Sequence, residues 1–427
     1  MSSPPAIPET ARRTADVPRA VTVMLGLLVA GFALSHLYRT LPAVMAGPLQ
    51  AGFGIGAEGL GVFAAAFHLA FALVQLPVGL AVDRLGVRRT ATLLLLITAA
   101  GAAASAVAPA FGWLVAAQAV IGIGCSGLLM APLVFASHAW PAERFAAVSG
   151  AVVSIGGAGM LLSGTPLSLA IELGGWRGAF AACSVLTLIV AAAIHLGLAR
   201  APVPARPPVA AGAAGTRLVE DIRGTLAILI SPAMRGTAAL ALISYPALIT
   251  LRGLWLGPFL DAAYGLDAVT IGNIVLVVSA VMVVAPLGFG RADRPGHRRR
   301  LLMTGGGLLA AAALAALGLI GGRMLALDLA LTGIAVAAGS FYVLQFAVVR
   351  ASFPPETMGR ALAGLIFCFF AGVAVWQVAT GVIAGASGAG AGAADLEGIR
   401  RVFLVLGLAL GIVSVATGRG RPAAAAL

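Results

Sequence analysis

The stretch Asp83-Arg84-Leu85-Gly86-Val87-Arg88-Arg89 returns as Asp293-Arg294-Pro295-Gly296-His297-Arg298-Arg299. The offset is 293 − 83 = 210 residues, about half of the 427-residue chain. Each copy stands between two long apolar runs, so a charged turn has been repeated together with its flanking segments. Self-similarity at half-length predicts a membrane protein made of two similar halves related as parallel repeats.

Composition agrees. The chain is 60% hydrophobic and 10% charged, against roughly 25% charged residues in a soluble domain. Lipid is therefore the expected solvent. The net charge of +12 comes from 27 arginines and no lysine. These arginines lie in short loops between apolar runs, which fits topogenic anchoring and excludes a nucleic-acid partner. Cys125, Cys183 and Cys368 lie inside apolar runs without metal or disulfide spacing and are read as small packing residues. No cofactor is expected. No nucleophile–base pair, metal cluster or phosphate loop is found, so no enzyme is expected. Gly305-Gly306-Gly307 reads as helix packing.

A span needs about 20 mostly apolar residues. Twelve such runs are expected, at 21–48, 57–82, 90–109, 112–137, 146–171, 177–199, 237–261, 268–290, 301–321, 324–349, 358–386 and 400–418. The expected all-α membrane fold has a tail at 1–20, a six-helix bundle at 21–199, a linker at 200–236, a second bundle at 237–418 and a tail at 419–427. Within the linker, 216–223 reads as a short amphipathic surface helix. With the N-terminus inside, 21 arginines fall on inner loops and tails, 4 on outer loops, and Arg39 and Arg252 inside spans. That bias predicts both ends in the cytoplasm of a multi-pass inner-membrane protein.

Over nearly its whole length the chain resembles the major facilitator superfamily. Gly79 to Arg89 fits that family's G-x-x-x-D-R-x-G-x-R-R signature, and the second copy keeps the D-R-x-G core. Pro141-Ala142-Glu143 and Pro354-Pro355-Glu356 form a second repeated pair, and Gly175-Trp176-Arg177-Gly178-Ala179-Phe180 is also common in the family. The resemblance implies secondary transport by alternating access of two six-helix halves around a midplane site. It also implies a gating role for Asp83, Arg84, Gly86, Arg88, Asp293, Arg294, Gly296 and Arg298. The glycine closes a tight turn, and the aspartate pairs with an arginine of a neighbouring helix or caps a helix. One departure stands out. The span-4 arginine of many members, linked there to proton coupling, is Gln118 here.

Ionisable groups at membrane depth are expensive and mark function by default. Arg39 in span 1 and Arg252 in span 7 occupy matching places in the two halves, judged from Gly47-Pro48-Leu49 and Gly257-Pro258-Phe259. Two guanidiniums are expected to face each other across a cavity, each with a donor fork suited to carboxylate or phosphate. His36 and Tyr38 flank Arg39; Tyr245 and Trp255 share the face of Arg252 by spacing; Gln118 and Gln345 are further hydrogen-bonding candidates. Arg39 snorkelling to the outer surface is the competing placement. His68 is read as packing. No Asp or Glu stands mid-span, with Glu172, Asp261 and Asp328 near span ends. The expected function is transport of a small organic anion (carboxylate or organophosphate) by a monomer, coupled to a proton through His36 or to a counter-anion. The alternative is multidrug or metabolite efflux. Span 5, Ser154-Ile155-Gly156-Gly157-Ala158-Gly159, is similar to the glycine motif of drug antiporters but lacks its Gly-Pro. A non-transport sensor or scaffold on the same fold is the third reading.

Overall fold

The structure is a computed structural model describing residues 19–140, 142–198, 223–386 and 395–419, without some side chains, among them those of Asp83 and Arg84. The chain is helical, and eleven helical segments among the described residues are long and apolar enough to cross a membrane. One of these, Val148–Gly197, runs for 50 residues, far more than the ~20 a crossing needs. It is broken at Gly175, where φ is 66°.

The rods follow from the apolar runs and from where glycine interrupts them. In the first half they are α1 (19–53, broken at Leu41), α2 (57–85), α3 (87–106), α4 (111–139), α5 (142–174) and α6 (176–198). In the second half they are α7 (235–264), α8 (268–292), α9 (297–320), α10 (325–352), α11 (355–385) and α12 (396–419). The expected surface helix at 216–223 lies outside the described residues except for Arg223. A short helix covers 223–230 instead and packs Thr225 and Leu229 against Gly364 of α11. At the α8 entrance Asp267 accepts from the Thr270 hydroxyl and the Thr270 and Val269 N–H groups, which holds its carboxyl below the ordinary carboxylate range.

The two signature turns share one backbone reason for their glycine. Gly86 has φ 76° and Gly296 has φ 84°, a region that a side chain strongly disfavours. Both halves also fasten their last rod alike. Arg177, opening α6, donates to the Ala108 carbonyl beyond α3; Arg400, opening α12, donates to the Gly318 and Leu319 carbonyls ending α9. The Arg400 guanidinium satisfies carbonyls that a helix end leaves free, and Arg177 satisfies one just past a helix end.

The halves meet along three seams, all toward the arginine-poor end of the rods. Gly61 of α2 lies on Gln377 and Gly381 of α11; Gly272 of α8 lies on Thr165 and Ser168 of α5; Gly257 of α7 lies on Ala43 of α1. The first two seams exchange under the repeat, since α2 corresponds to α8 and α11 to α5. A pseudo-twofold axis therefore runs between α1 and α7. Close approach sets the residue choice. A Cβ on Gly257 would stand 1.9 Å from the Ala43 carbonyl oxygen, whereas one on Gly253, one turn away, would have only ordinary contacts from 3.7 Å outward. Gly257→Ala is expected to cost about 1–3 kcal/mol by overpacking and to lower the melting temperature in detergent. Gly253→Ala should leave that temperature nearly unchanged.

Candidate functional site

Three charged side chains are buried among the described residues: Arg39, Arg252 and Asp328. Asp328 belongs to a turn. Its Oδ2 accepts from the Tyr264 hydroxyl at 2.5 Å and the Gly322 N–H at 2.7 Å, closing the α9–α10 connection. Among the described residues no carboxylate bonds either arginine, so each must be satisfied by neutral groups.

Arg252 achieves this with all three of its nitrogens. It lies in a π-helical turn, Leu251–Trp255, with no exposed surface. Its Nε donates to the Ser279 hydroxyl of α8 at 3.0 Å and its Nη1 to the Thr40 carbonyl of α1 at 3.3 Å. Its Nη2 donates to the Met160 carbonyl at 3.0 Å and the Ser163 hydroxyl of α5 at 2.9 Å, and to Ser279 at 2.6 Å. Thr40 and Ser163 also bond each other, at 2.7 Å. One guanidinium thus joins α1 and α5 of the first half to α7 and α8 of the second.

Arg39 is placed differently. It is 4% exposed, so it does not snorkel to a surface. Its Nη1 donates to the Tyr245 hydroxyl at 3.1 Å and its Nη2 to Ser35 at 3.5 Å. Its Nε is buried without a partner. The guanidinium carbon lies 4.6 Å from the Phe370 ring centre and 5.3 Å from that of Phe71. Those two rings are 4.1 Å apart, so they form one aromatic surface beneath the charge. The site is built by α1, α2, α7 and α11, from both halves.

The two guanidiniums expected to face one another across a cavity bond different partners. Both arginine sites involve α1, Arg252 through the Thr40 carbonyl next in sequence to Arg39. Arg39 turns to the α2–α11 seam, while Arg252 turns to the α5–α8 seam, where hydroxyls and carbonyls absorb its donors. Tyr245 reaches Arg39 and is not a partner of Arg252. The π turn adds a residue to its coil, and Trp255 falls off the expected common face, donating from Nε1 to Thr380 of α11 at 2.9 Å. Tyr38 points into the first half, where its hydroxyl meets that of Thr187 at 2.9 Å.

His36 packs edge-on against Phe32 at 4.7 Å, and its Nδ1 has no partner. Gln345 donates to Ser244 at 2.6 Å and leaves its Oε1 unpaired. Gln118 is fully buried with both amide atoms unpaired. Spacing passed over several groups near Arg39. His68 stacks on Phe370 at 6.1 Å and holds an unpaired Nε2; Gln377, on the α2 seam, has neither amide atom paired. They are separated by about 300 residues, and no short motif joins them.

The signature turn of the second half is tied within that half. Asp293 accepts two bonds from Arg299, at 2.8 Å and 2.7 Å, and Arg299 also donates to the Ala347 carbonyl of α10 at 3.1 Å. Arg294 and Arg298, named as gating candidates, are exposed, and the partner of Asp293 is Arg299. The side chains of Asp83 and Arg84 lie outside those described.

A family model described as Major Facilitator Superfamily matches residues 23–376. No curated protein matches the sequence. Solved structures with the same fold include a bacterial homolog of the human lysosomal transporter Spinster, inward-facing and occupied. It is 18% identical, with 94% of this chain and 99% of that one covered at a TM-score of 0.71. A D-xylose-proton symporter is 16% identical over 93% and 97% of the two chains, with a TM-score of 0.71. A POT family transporter in complex with 5-aminolevulinic acid is 14% identical over 93% and 95%, with a TM-score of 0.73.

Because Arg252 is held through a fork, lysine is a poor substitute for it. Arg252→Lys is expected to lose at least two of its bonds to Thr40, Met160, Ser163 and Ser279. The variant should melt several degrees below the parent in detergent, a cost of about 2–4 kcal/mol for unmade charged bonds. Thermal unfolding of the two proteins checks this.

Proposed function

The chain belongs to the major facilitator superfamily, and from that premise we propose that it is a secondary transporter of a small organic anion working by alternating access. The observation that carries the anion reading is the Arg39 site. A guanidinium buried at membrane depth has an open Nε edge and only neutral partners, at a place both halves build. Such a charge is most stable when an anion completes it. Cationic cargo would meet uncompensated repulsion there.

In this reading the chain crosses an inner membrane twelve times, with α5 and α6 counted apart at Gly175 and both ends cytoplasmic. The three seams at the arginine-poor end close the outer side, so the site opens toward the cytoplasm. Outward opening parts α5 from α8 and α2 from α11, which requires Arg252 to release Thr40, Met160 and Ser163. The Asp83 and Asp293 turns stiffen the inner ends of their own halves as these rock. Protein solvation of Arg252 leaves Arg39 as the ligand's cation. Return of the empty carrier is driven by a co-bound proton, with His36 and His68 as the histidines beside the site, or by a counter-anion. The monomer is the working unit. The fold neighbours include a transporter named for a sugar, so this reading rests on the site.

Uptake and exchange in proteoliposomes test it, with a panel of carboxylates, organophosphates, neutral sugars and cationic dyes. Anions alone should move, and Arg39→Ala should reduce their flux at least about 100-fold, the effect of removing a buried charged partner. Movement of cationic dyes or sugars with Arg39→Ala fully active would end the anion reading and favour efflux.

A further inference from the structure

Two features of the Arg39 site narrow its ligand beyond the word anion, and they rest on the reading just given. The first is the charge left without an acceptor to hold it. Arg252 is already held by Ser279, Thr40, Met160 and Ser163, through all three of its nitrogens. Arg39 carries a single charge and makes two bonds with its five N–H donors, so its Nε edge is open to a ligand. A single guanidinium edge matches one carboxylate in a bidentate pair. A phosphate dianion or a dicarboxylate brings a second charge for which no buried cation is free among the described residues.

The second feature is the wall beside that edge. The chain is only 6% aromatic, yet Arg39 stands among a continuous set of rings. Phe71 and Phe370 lie under the guanidinium. Tyr245, which holds Nη1, has its ring centre 5.0 Å from that of Tyr342, 5.4 Å from Phe369 and 5.9 Å from Phe370. These come from α2, α7, α10 and α11, so the wall spans both halves. Rings at such separations and tilts receive another flat ring by edge or offset stacking. They offer few hydrogen bonds to a polyhydroxylated body.

We propose that the site selects a monocarboxylate carrying a flat aromatic ring. The carboxylate pairs with the Nε edge of Arg39, and the ring packs against Phe370 and Tyr245. Because the wall draws on α2 from one half and α7, α10 and α11 from the other, the ring also gives the halves a shared contact when they close on it.

Benzoate and cyclohexanecarboxylate serve as probes, since they share charge and near-equal size but differ in flatness. Their affinities for the purified full chain are measured by calorimetry, with glycerol 3-phosphate alongside. Benzoate is expected to bind about 3- to 10-fold more tightly than cyclohexanecarboxylate, the range one aromatic contact supplies. Phe370→Leu should erase that preference and Phe370→Trp should retain it, which separates stacking from misfolding. Arg39→Gln should remove binding of both carboxylates. Equal affinity for the two acids, or a preference that survives Phe370→Leu, overturns the aromatic assignment while leaving anion transport in place. Tighter binding of glycerol 3-phosphate than of benzoate overturns the monoanion assignment. Binding of no anion at all removes both this inference and the anion reading.

Discussion

A positive charge buried at membrane depth with no carboxylate beside it organises the rest of this molecule. An arginine in a medium that cannot hydrate it must find acceptors within the protein or lose stability. Here there are two, and they are satisfied differently. Arg252 is solvated by two hydroxyls and two backbone carbonyls drawn from α1, α5 and α8. Arg39 receives one phenol, one distant hydroxyl and an aromatic surface, and keeps an edge open. One charge joins helices, and the other keeps open donors at a place both halves build.

The seams follow from this. Neutral acceptors hold Arg252 firmly while in place, yet separating them from it creates no unpaired carboxylate. A carrier that must open and close needs contacts of that kind. The glycines at the seams serve the same end. Backbone against backbone at Gly257 and Ala43 gives a close, flat junction without interlocked side chains to disentangle. Because α2 with α11 and α5 with α8 are equivalent under the repeat, the same design closes both flanks of α1 and α7.

Much of the architecture was legible in the chain. Apolar run lengths place the rods within a few residues, and the repeated D-R-x-G turn marks the halves. Positive φ at Gly86 and Gly296 gives the physical reason that glycine returns there. That two arginines would lie inside the rods was also legible. Their partners were not. Helical spacing placed Tyr245 and Trp255 with Arg252, but a π turn at Leu251–Trp255 redirects that face and tertiary contact gives Tyr245 to Arg39. Ser279, Ser163 and the Met160 carbonyl carry no motif that announces an arginine partner. Asp293 could be seen to need an arginine, yet choosing Arg299 over its two neighbours required the rotation of α9. The ring cluster around Arg39 is assembled from positions as far apart as 71 and 370, beyond any local pattern.

The division between a joining arginine and a receiving arginine is tested most directly by a distance across the α5–α8 seam. Spin labels at Leu173→Cys and Ala268→Cys, both exposed near the arginine-poor ends of those rods, report the seam by pulsed dipolar spectroscopy in lipid. Arg252→Ala should shift the distribution toward longer distances, as the seam loses its central tie, while Arg39→Ala should keep the parent's short distance. A parent-like distance in Arg252→Ala, or equal opening in Arg39→Ala, would contradict that division.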